Sequence, residues 1–418
     1  MQELYYNDLL DFIRANGKDW INKIAQAPYY ITAKQCPFKN ETGNLLYPEA
    51  YMVSYSQFES DFTNRVVKAC RGSIIDTSDL NSPDMICTPF YKFMNHGQDG
   101  EDEIDWSTAK VRDKIDGMLM KCWYSEKLNC WIWVTNNGWD IKCELPETLI
   151  SKYEEEDSKD AKTFWDLLKI AFKHANLAEN WYEELDKNYT YMFELVSPKT
   201  RIICDYPITE LWYLGCRDIR TWKEWTPEQI SDNSILKVFK HPEVYADKNI
   251  EEVLARCNGY DNIDKEGVVV CDANFHRFKI KCNEYLKIKF AKHEMGINEK
   301  FLLQCIRDNS EDDLLGIFPE LNKKLKELKE KIMLFKNTVT VFYLGATDEY
   351  QTIKDKYIDE KEARKIFAQN VNKESNSKIK ALKFLSLKGL EAINKYINNA
   401  DLDDINEIIE ARKCFLEK

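Results

Sequence analysis

No pair among the thirteen cysteines has Cys-x-x-Cys spacing, no apolar run approaches the roughly 18 residues of a membrane span, and no secretory pattern comes after Met1-Gln2-Glu3. These absences argue against a structural zinc site, a disulfide framework, a membrane anchor and an export route. The expected setting is therefore reducing and cytoplasmic, the host's cytoplasm if the source is viral. Internal repeats and low-complexity tracts are missing as well. A basic surplus is also absent. The net charge of −12 counts against a general nucleic-acid binder, although lysines and arginines at a few positions can still gather in one groove. What is there is a chain of 418 residues, 44% hydrophobic and 13% aromatic, enough to fill the cores of two or three domains.

Residues 1–295 carry short β-branched and aromatic runs broken by turn signals, the pattern of an antiparallel α+β fold and not of alternating βαβ units. Strands are expected at 118–124 and 131–135, joined as a hairpin, and at 191–196, 201–204, 211–215, 267–271 and 277–282. Within about 151–187, an acidic stretch at 151–160 reads as a solvated loop. Phe164, Leu167, Leu168, Ala171 and Phe172 then recur at helical spacing, so the segment is expected to be a helical insertion. From 296 to 418 strand signals nearly vanish. Leu321, Leu325, Leu328, Ile332 and Phe335 form one helical stripe, flanked by lysines that read as a solvated face, and further helices are expected at 359–369, 377–398 and 401–415. Only 339–344 reads as a short strand-like run or buried connector. The expected architecture is an antiparallel-sheet domain over 1–295 followed by an all-helical domain over 296–418.

Lys114-Ile115-Asp116-Gly117 carries the chemistry, because it puts a lysine in the Lys-x-Asp-Gly setting of a nucleophile that would hold a covalent nucleotide. Alone, such a pattern arises by chance in roughly one chain of this length in ten, and Asp116-Gly117 is also an ordinary hairpin-turn signal. Its companions keep a fixed order. Lys68-Ala69-Cys70-Arg71-Gly72-Ser73 and Tyr91-Lys92-Phe93-Met94-Asn95 lie upstream. Tyr191-Met192-Phe193-Glu194, then Lys265-Glu266-Gly267 with three valines, then Phe278-Lys279-Ile280-Lys281 lie downstream. A lysine attacking phosphorus must be neutral at that moment, which requires neighbouring cations or desolvation. Arg71, Lys92, Lys279 and Lys281 could supply that field while neutralising a triphosphate. Gly117 permits close backbone approach to a nucleotide, and Asp116 can bond its own turn. Glu194 sits in an apolar strand, so it needs a cation, metal or hydroxyl partner unless it points outward from a half-exposed face. Glu266 at the mouth of a valine strand is either a hard Mg²⁺ ligand or a plain loop acid.

In this order the motifs resemble the covalent nucleotidyltransferase superfamily, most closely its RNA ligase 1 branch, the ATP-dependent RNA-repair ligases of T-even phages, over about 71–293. The resemblance implies an adenylation domain that uses ATP with Mg²⁺ or Mn²⁺. Lys114 would be adenylated, Arg71 and Lys92 would grip the triphosphate, and Asp116 and Gly117 would lie beside the nucleotide. Glu194 and Glu266 would contact nucleotide and metal, and a final lysine pair would hold the α-phosphate. Two Lys-Ile-Lys runs compete for that pair. Lys279 and Lys281 are preferred because 278–281 closes the hairpin opened at Gly267 and the stretch ending in Lys292-His293 resembles the segment just after the motif in relatives; Lys287 and Lys289 are the reserve. The implied partner is RNA with 3′-hydroxyl and 5′-phosphate ends, cleaved tRNA among them, with the helical tail as a specificity domain and the oligomeric state open. Two departures stand out: relatives often carry a second phenylalanine where this chain has Met94, and a basic residue where it has Asn137. Lys142 is the nearby lysine that could compensate, if it is not simply solvated. The rival readings are a DNA ligase or mRNA-capping guanylyltransferase, each expected to continue into a small β-barrel, and a non-catalytic module that binds RNA ends.

Overall fold

The computed structural model describes residues 4–39, 42–56, 59–151, 156–230, 235–260, 265–286, 298–307, 311, 314–315, 318, 321–356, 359–374 and 376–416. The chain forms two units, Met1–Ala291 and Lys292–Lys418. In chain order the first unit runs α1 (Tyr5–Asn16), α2 (Trp20–Ile24), β1 (Ile31–Gln35), β2 (Phe38–Lys39), β3 (Leu45–Tyr47), β4 (Ala50–Tyr55), α3 (Arg65–Ala69), β5 (Arg71–Asp76), β6 (Asp84–Cys87), β7 (Met94–Asn95), β8 (Lys110–Lys114), β9 (Met118–Ser125), β10 (Cys130–Thr135), α4 (Phe164–His174), β11 (Tyr189–Val196), β12 (Glu210–Asp218), β13 (Glu224–Trp225), β14 (Val244–Tyr245), α5 (Ile250–Asn258), β15 (Gly267–Cys271) and β16 (Arg277–Lys281).

These strands form three sheets, ordered β1-β4-β5-β6, β10-β9-β11-β12-β13 and β14-β8-β15-β16-β7, and a small β2-β3 ribbon. Every described pair is antiparallel except β16 with β7. The fold is thus the antiparallel α+β class.

The β9–β10 hairpin is buried on both faces, which explains why its strands read as almost continuous apolar runs. Met120, Cys122, Tyr124, Trp131 and Trp133 pack on Phe164, Leu167, Leu168, Ala171 and Phe172 of α4. The alternate residues Trp123, Ile132 and Val134 pack on Met52, Ile74 and Cys87. Burying each such large side chain stabilises by about 1.5–3 kcal/mol. The helix that closes the first of these cores begins at a capping box, Thr163 accepting from Asp166 N–H while the Asp166 carboxylate accepts from Thr163 N–H.

The expected strand at 201–204 does not form. The N–H groups of Ile203 and Cys204 donate to Asp116 Oδ2 at 3.0 and 2.9 Å, so a side chain takes the bonds that a ladder would have used.

In the second unit the described elements are α6 (Glu299–Arg307), α7 (Asn322–Lys356), α8 (Glu360–Asn372), α9 (Ser377–Ser386), α10 (Leu390–Asn399) and α11 (Leu402–Leu416). Leu325, Leu328, Ile332 and Phe335 are the buried stripe of α7, and Val339, Ala346 and Ile353 extend it. The run 339–344 therefore lies inside a helix. Val339 keeps the helical spacing from Phe335, and Val341 and Leu344 face solvent at 61% and 53% exposure, so the tertiary period overrides local β-propensity. The expected helix 377–398 is two helices, parted at Gly389, whose φ of +89° a residue with a side chain rarely adopts. No helix among the described residues is long and apolar enough to cross a membrane.

Candidate active site

β8 ends on Lys114 and the chain passes directly into β9 of another sheet, so Ile115-Asp116-Gly117 is an inter-sheet connection and not a hairpin turn. Across the β8-β15-β16 ladder Lys114 pairs with Gly267 and Gly267 with Lys281, which sets three sequence motifs in one row. Glu266, one residue ahead, reaches both lysines. Lys114 Nζ donates to its Oε2 at 2.5 Å, and Lys281 Nζ lies 2.9 Å from its Oε1. Burial disfavours the Glu266 carboxylate, but the two ammonium groups outweigh it and hold its pKa below the usual range. Gly267 is required by the row itself, since a Cβ there would stand 2.0 Å from the Ile280 carbonyl oxygen.

Asp116 is an anchor of the connection. Its Oδ2 accepts from Ile203 and Cys204 as described, and its Oδ1 accepts from Tyr285 OH at 2.8 Å. Burial, and after it the charge of Glu266, raises its pKa. Gly117 packs against β11, where a Cβ would lie 2.5 Å from Leu195 O and 3.0 Å from Glu194 Cγ. Glu194 is the one residue of 190–196 that is only partly buried. Its carboxylate has no hydrogen bond or ion pair among the described residues and lines a cleft. Burial pushes its pKa up to about 7, Lys114 opposing the shift and Glu266 adding to it.

The cleft encloses about 240 Å³ and is walled by strands of all three sheets. Its cations are Arg71, Arg112, Lys114, Arg277, Lys279 and Lys281, and its carboxylates are Asp113, Glu194 and Glu224, six against three in a chain of net charge −12. Positive charge is therefore concentrated where the motifs meet. Asp113 is further neutralised by an ion pair with Lys265. Arg71 Nη1 is buried without a hydrogen-bond partner, and its guanidinium lies 5.4 Å from the Phe93 ring centroid. Gly72 sits beside Arg71 at the register shift between β4 and β5, with φ +72° and a backbone where a Cβ would meet Asn136 O at 2.2 Å.

The structure does not bring every expected residue to this cleft. Lys92 is buried with Nζ 4.6 Å from the Phe62 ring and 5.0 Å from that of Tyr55, and it lines a small neighbouring cavity with Arg217 and Arg277. Met94 is a core residue of β7, and Phe93 is the aromatic side chain of that motif in the cleft. Asn137 and Lys142 are exposed, Lys142 Nζ standing 5.9 Å from the Trp165 ring, and neither lines the cleft. Lys287, Lys289, Lys292 and His293 lie outside the described residues. No group of three or more His, Cys, Asp or Glu side chains suited to a metal occurs among the described residues.

Sequence reasoning passed over Phe93, Arg112 and Arg277. Arg112 is paired with Glu228 at 2.8 Å; burial opposes the Glu228 charge, but this hydrogen-bonded arginine draws its pKa down to about 2. Arg277 had a usable signal, because it shares strand parity with Lys279 and Lys281.

Comparison with known proteins adds a second line. A family model described as RNA ligase, of the T4 RNA ligase 1 type, matches residues 69–285, a span that holds Arg71, Lys114, Glu194, Glu266, Lys279 and Lys281. A protein of Autographa californica nuclear polyhedrosis virus, described as a bifunctional polynucleotide kinase/RNA ligase, is 26% identical over 337 residues. That alignment covers 76% of this chain and 45% of the viral protein, so the chain spans less than half the length of that relative. Among solved structures, an archaeal ATP-dependent RNA ligase is similar at 13% identity and TM-score 0.41, over 78% of this chain and 82% of that one. A mutant Naegleria gruberi RNA ligase with AMP and Mn is similar at 20% identity and TM-score 0.32, over 45% of this chain and 52% of that one.

Proposed function

The chain belongs to the RNA ligase family, and we propose that it uses ATP to join RNA ends bearing a 3′-hydroxyl and a 5′-phosphate. The observation that carries the reading is the ion-paired Lys114–Glu266–Lys281 cluster, whose two lysines line a positively charged cleft. In the first step the Lys114 Nζ lone pair bonds to the α-phosphorus of ATP while the α–β anhydride bond breaks, and pyrophosphate leaves with the electron pair. Glu266 Oε2, at 2.5 Å, is the nearest acceptor for the ammonium proton. Lys279 and Lys281 neutralise the phosphate charge that builds up on the nucleotide. The AMP then passes from Lys114 to the RNA 5′-phosphate, and the 3′-hydroxyl oxygen displaces AMP as the phosphodiester forms. Holding the reactants in line supplies much of the rate.

A divalent ion fits at Glu194. Its carboxylate faces the cleft without a partner among the described residues, whereas both oxygens of Glu266 are engaged by ammonium groups. Mg²⁺ or Mn²⁺ typically needs only one or two carboxylates when the substrate's phosphates complete its shell. Bound there, the ion would supply Lewis-acid stabilisation of phosphate charge.

Every described element of the second unit is a helix, which supports this reading over a DNA ligase or capping enzyme with a β-barrel in that place. By resemblance, broken tRNA anticodon loops are the natural RNA and the helical unit selects them. Incubation with ATP, Mg²⁺ and single-stranded, nicked or anticodon-cleaved RNA is expected to give a sealed product, and Lys114→Ala none. Sealing by Lys114→Ala, or preference for GTP, would refute this reading. Binding of nicked RNA without any nucleotide adduct would favour the non-catalytic module.

A further inference from the structure

β16 places Arg277, Lys279 and Lys281 at alternate positions, and side chains two residues apart on a strand share a face. All three line the cleft. At a rise of about 3.3 Å per residue the row reaches about 13 Å, from Lys281 beside Lys114 to Arg277. That is the shape of a seat for an extended anion whose near end lies at Lys114.

The far end has more positive charge than its own partners neutralise. Arg277 Nη2 donates to Glu224 Oε1, and Arg217 Nη2 donates to Glu224 Oε2 at 2.6 Å. Two buried guanidinium groups thus share one buried carboxylate, an excess of one positive charge. Asp102, the other acid nearby, is engaged by Lys68 at 2.9 Å and by the Arg277 N–H at 3.1 Å. Arg277 Nε is buried without a hydrogen-bond partner. The Phe90 and Phe93 rings, 4.8 and 5.7 Å from its guanidinium carbon, offer aromatic faces and no conventional acceptor. Arg71, from a different sheet and with its own unpartnered Nη1, stands over the same Phe93 ring. A buried N–H left without an acceptor is costly, so two guanidinium groups with such donors beside one ring point to an anion that completes them.

We propose that Arg277 binds the terminal phosphates of the nucleotide and the pyrophosphate that leaves. Glu224 and Arg217 position it, and Arg71 closes the seat from β5. The assignment rests on the ATP-dependent reading above and concerns a residue that reading does not use.

Titration of inorganic pyrophosphate into the full chain, with neither ATP nor RNA present, tests it directly. The wild type is expected to bind, Arg277→Gln about tenfold or more weakly, as befits a lost charge-assisted hydrogen bond, and Arg277→Lys in between. AMP, which lacks the terminal phosphates, should lose far less affinity. A kinetic split gives the second readout. Arg277→Gln should raise KM for ATP in adduct formation and lower that step, relative to sealing of pre-adenylated RNA, about tenfold. Equal pyrophosphate affinity in wild type and Arg277→Gln would overturn the proposal. So would a parallel loss of both steps with a lowered thermal midpoint in the Gln and Lys variants, which would make Arg277 structural. A selective loss on pre-adenylated RNA would assign Arg277 to the RNA strand and overturn it too. Should the wild type form no adduct, the ATP reading falls, and the pyrophosphate titration still decides Arg277.

Discussion

Lys121 is fully buried in β9, with its Nζ donating to the Gly72 carbonyl oxygen beside Arg71. Burial pushes its pKa down to about 8, with the Cys87 thiol partly offsetting the shift and Arg71 adding to it. Between about 8 and the ordinary lysine value of 10.5 the unfolded chain therefore binds more protons at this site than the folded one, and stability rises with pH across that window. The expected gain from pH 7.5 to 10.5 is up to about 3 kcal/mol, and Lys121→Met should lack it. Urea denaturation of both proteins at the two pH values checks this, because other titrating groups cancel in the difference; parallel pH dependence would contradict it. The same cost argument that singles out Glu194 from sequence, a charge inside an apolar strand, applies equally to Lys121 in Met118-Leu119-Met120-Lys121-Cys122-Trp123. What the sequence hid was its partner, since Gly72 lies 49 residues upstream and its carbonyl has no side-chain signature.

The β8–β9 connection shows how one short element ties the site to the fold. Gly117 lets it pass under β11, so Gly117→Ala should force the connection away from Leu195 O at a cost of about 1–3 kcal/mol. Adduct formation at saturating ATP should slow as well, because Lys114 hangs on the same three-residue link. Denaturant midpoints and single-turnover kinetics measure the two effects, and a normal rate with lowered stability would confine Gly117 to packing. The hairpins over 118–135 and 267–282 were legible because alternation and a short turn are local signals. The strand expected at 201–204 failed for a nonlocal reason, Asp116 capturing its amides from 87 and 88 residues away. Lys114, Gly267 and Lys281 were each visible as motifs. Their common row was not, because a ladder that joins segments so far apart, with Lys114 bonded to Glu266 152 residues away, leaves no pattern in either segment alone.

Taken as one molecule, the protein is acidic in its net charge and cationic where its three sheets meet, so the global value of −12 misleads about the cleft. The order of motifs along the chain revealed the family and most of the cleft-lining cations, since each motif is a local run whose spacing survives in sequence. It did not show that Lys92 stands in the adjoining cavity with Arg217, because the direction a side chain takes from an irregular segment depends on packing against Tyr55 and Phe62. The proposed ligase function depends on a covalent nucleotide at Lys114. Intact-mass analysis of the protein after incubation with ATP and Mg²⁺, followed by peptide mapping, tests that most directly. The expected result is a single added AMP, located on Lys114 and absent from Lys114→Ala. An adduct on another residue, an adduct that persists in Lys114→Ala, or RNA sealing without any adduct would contradict the account.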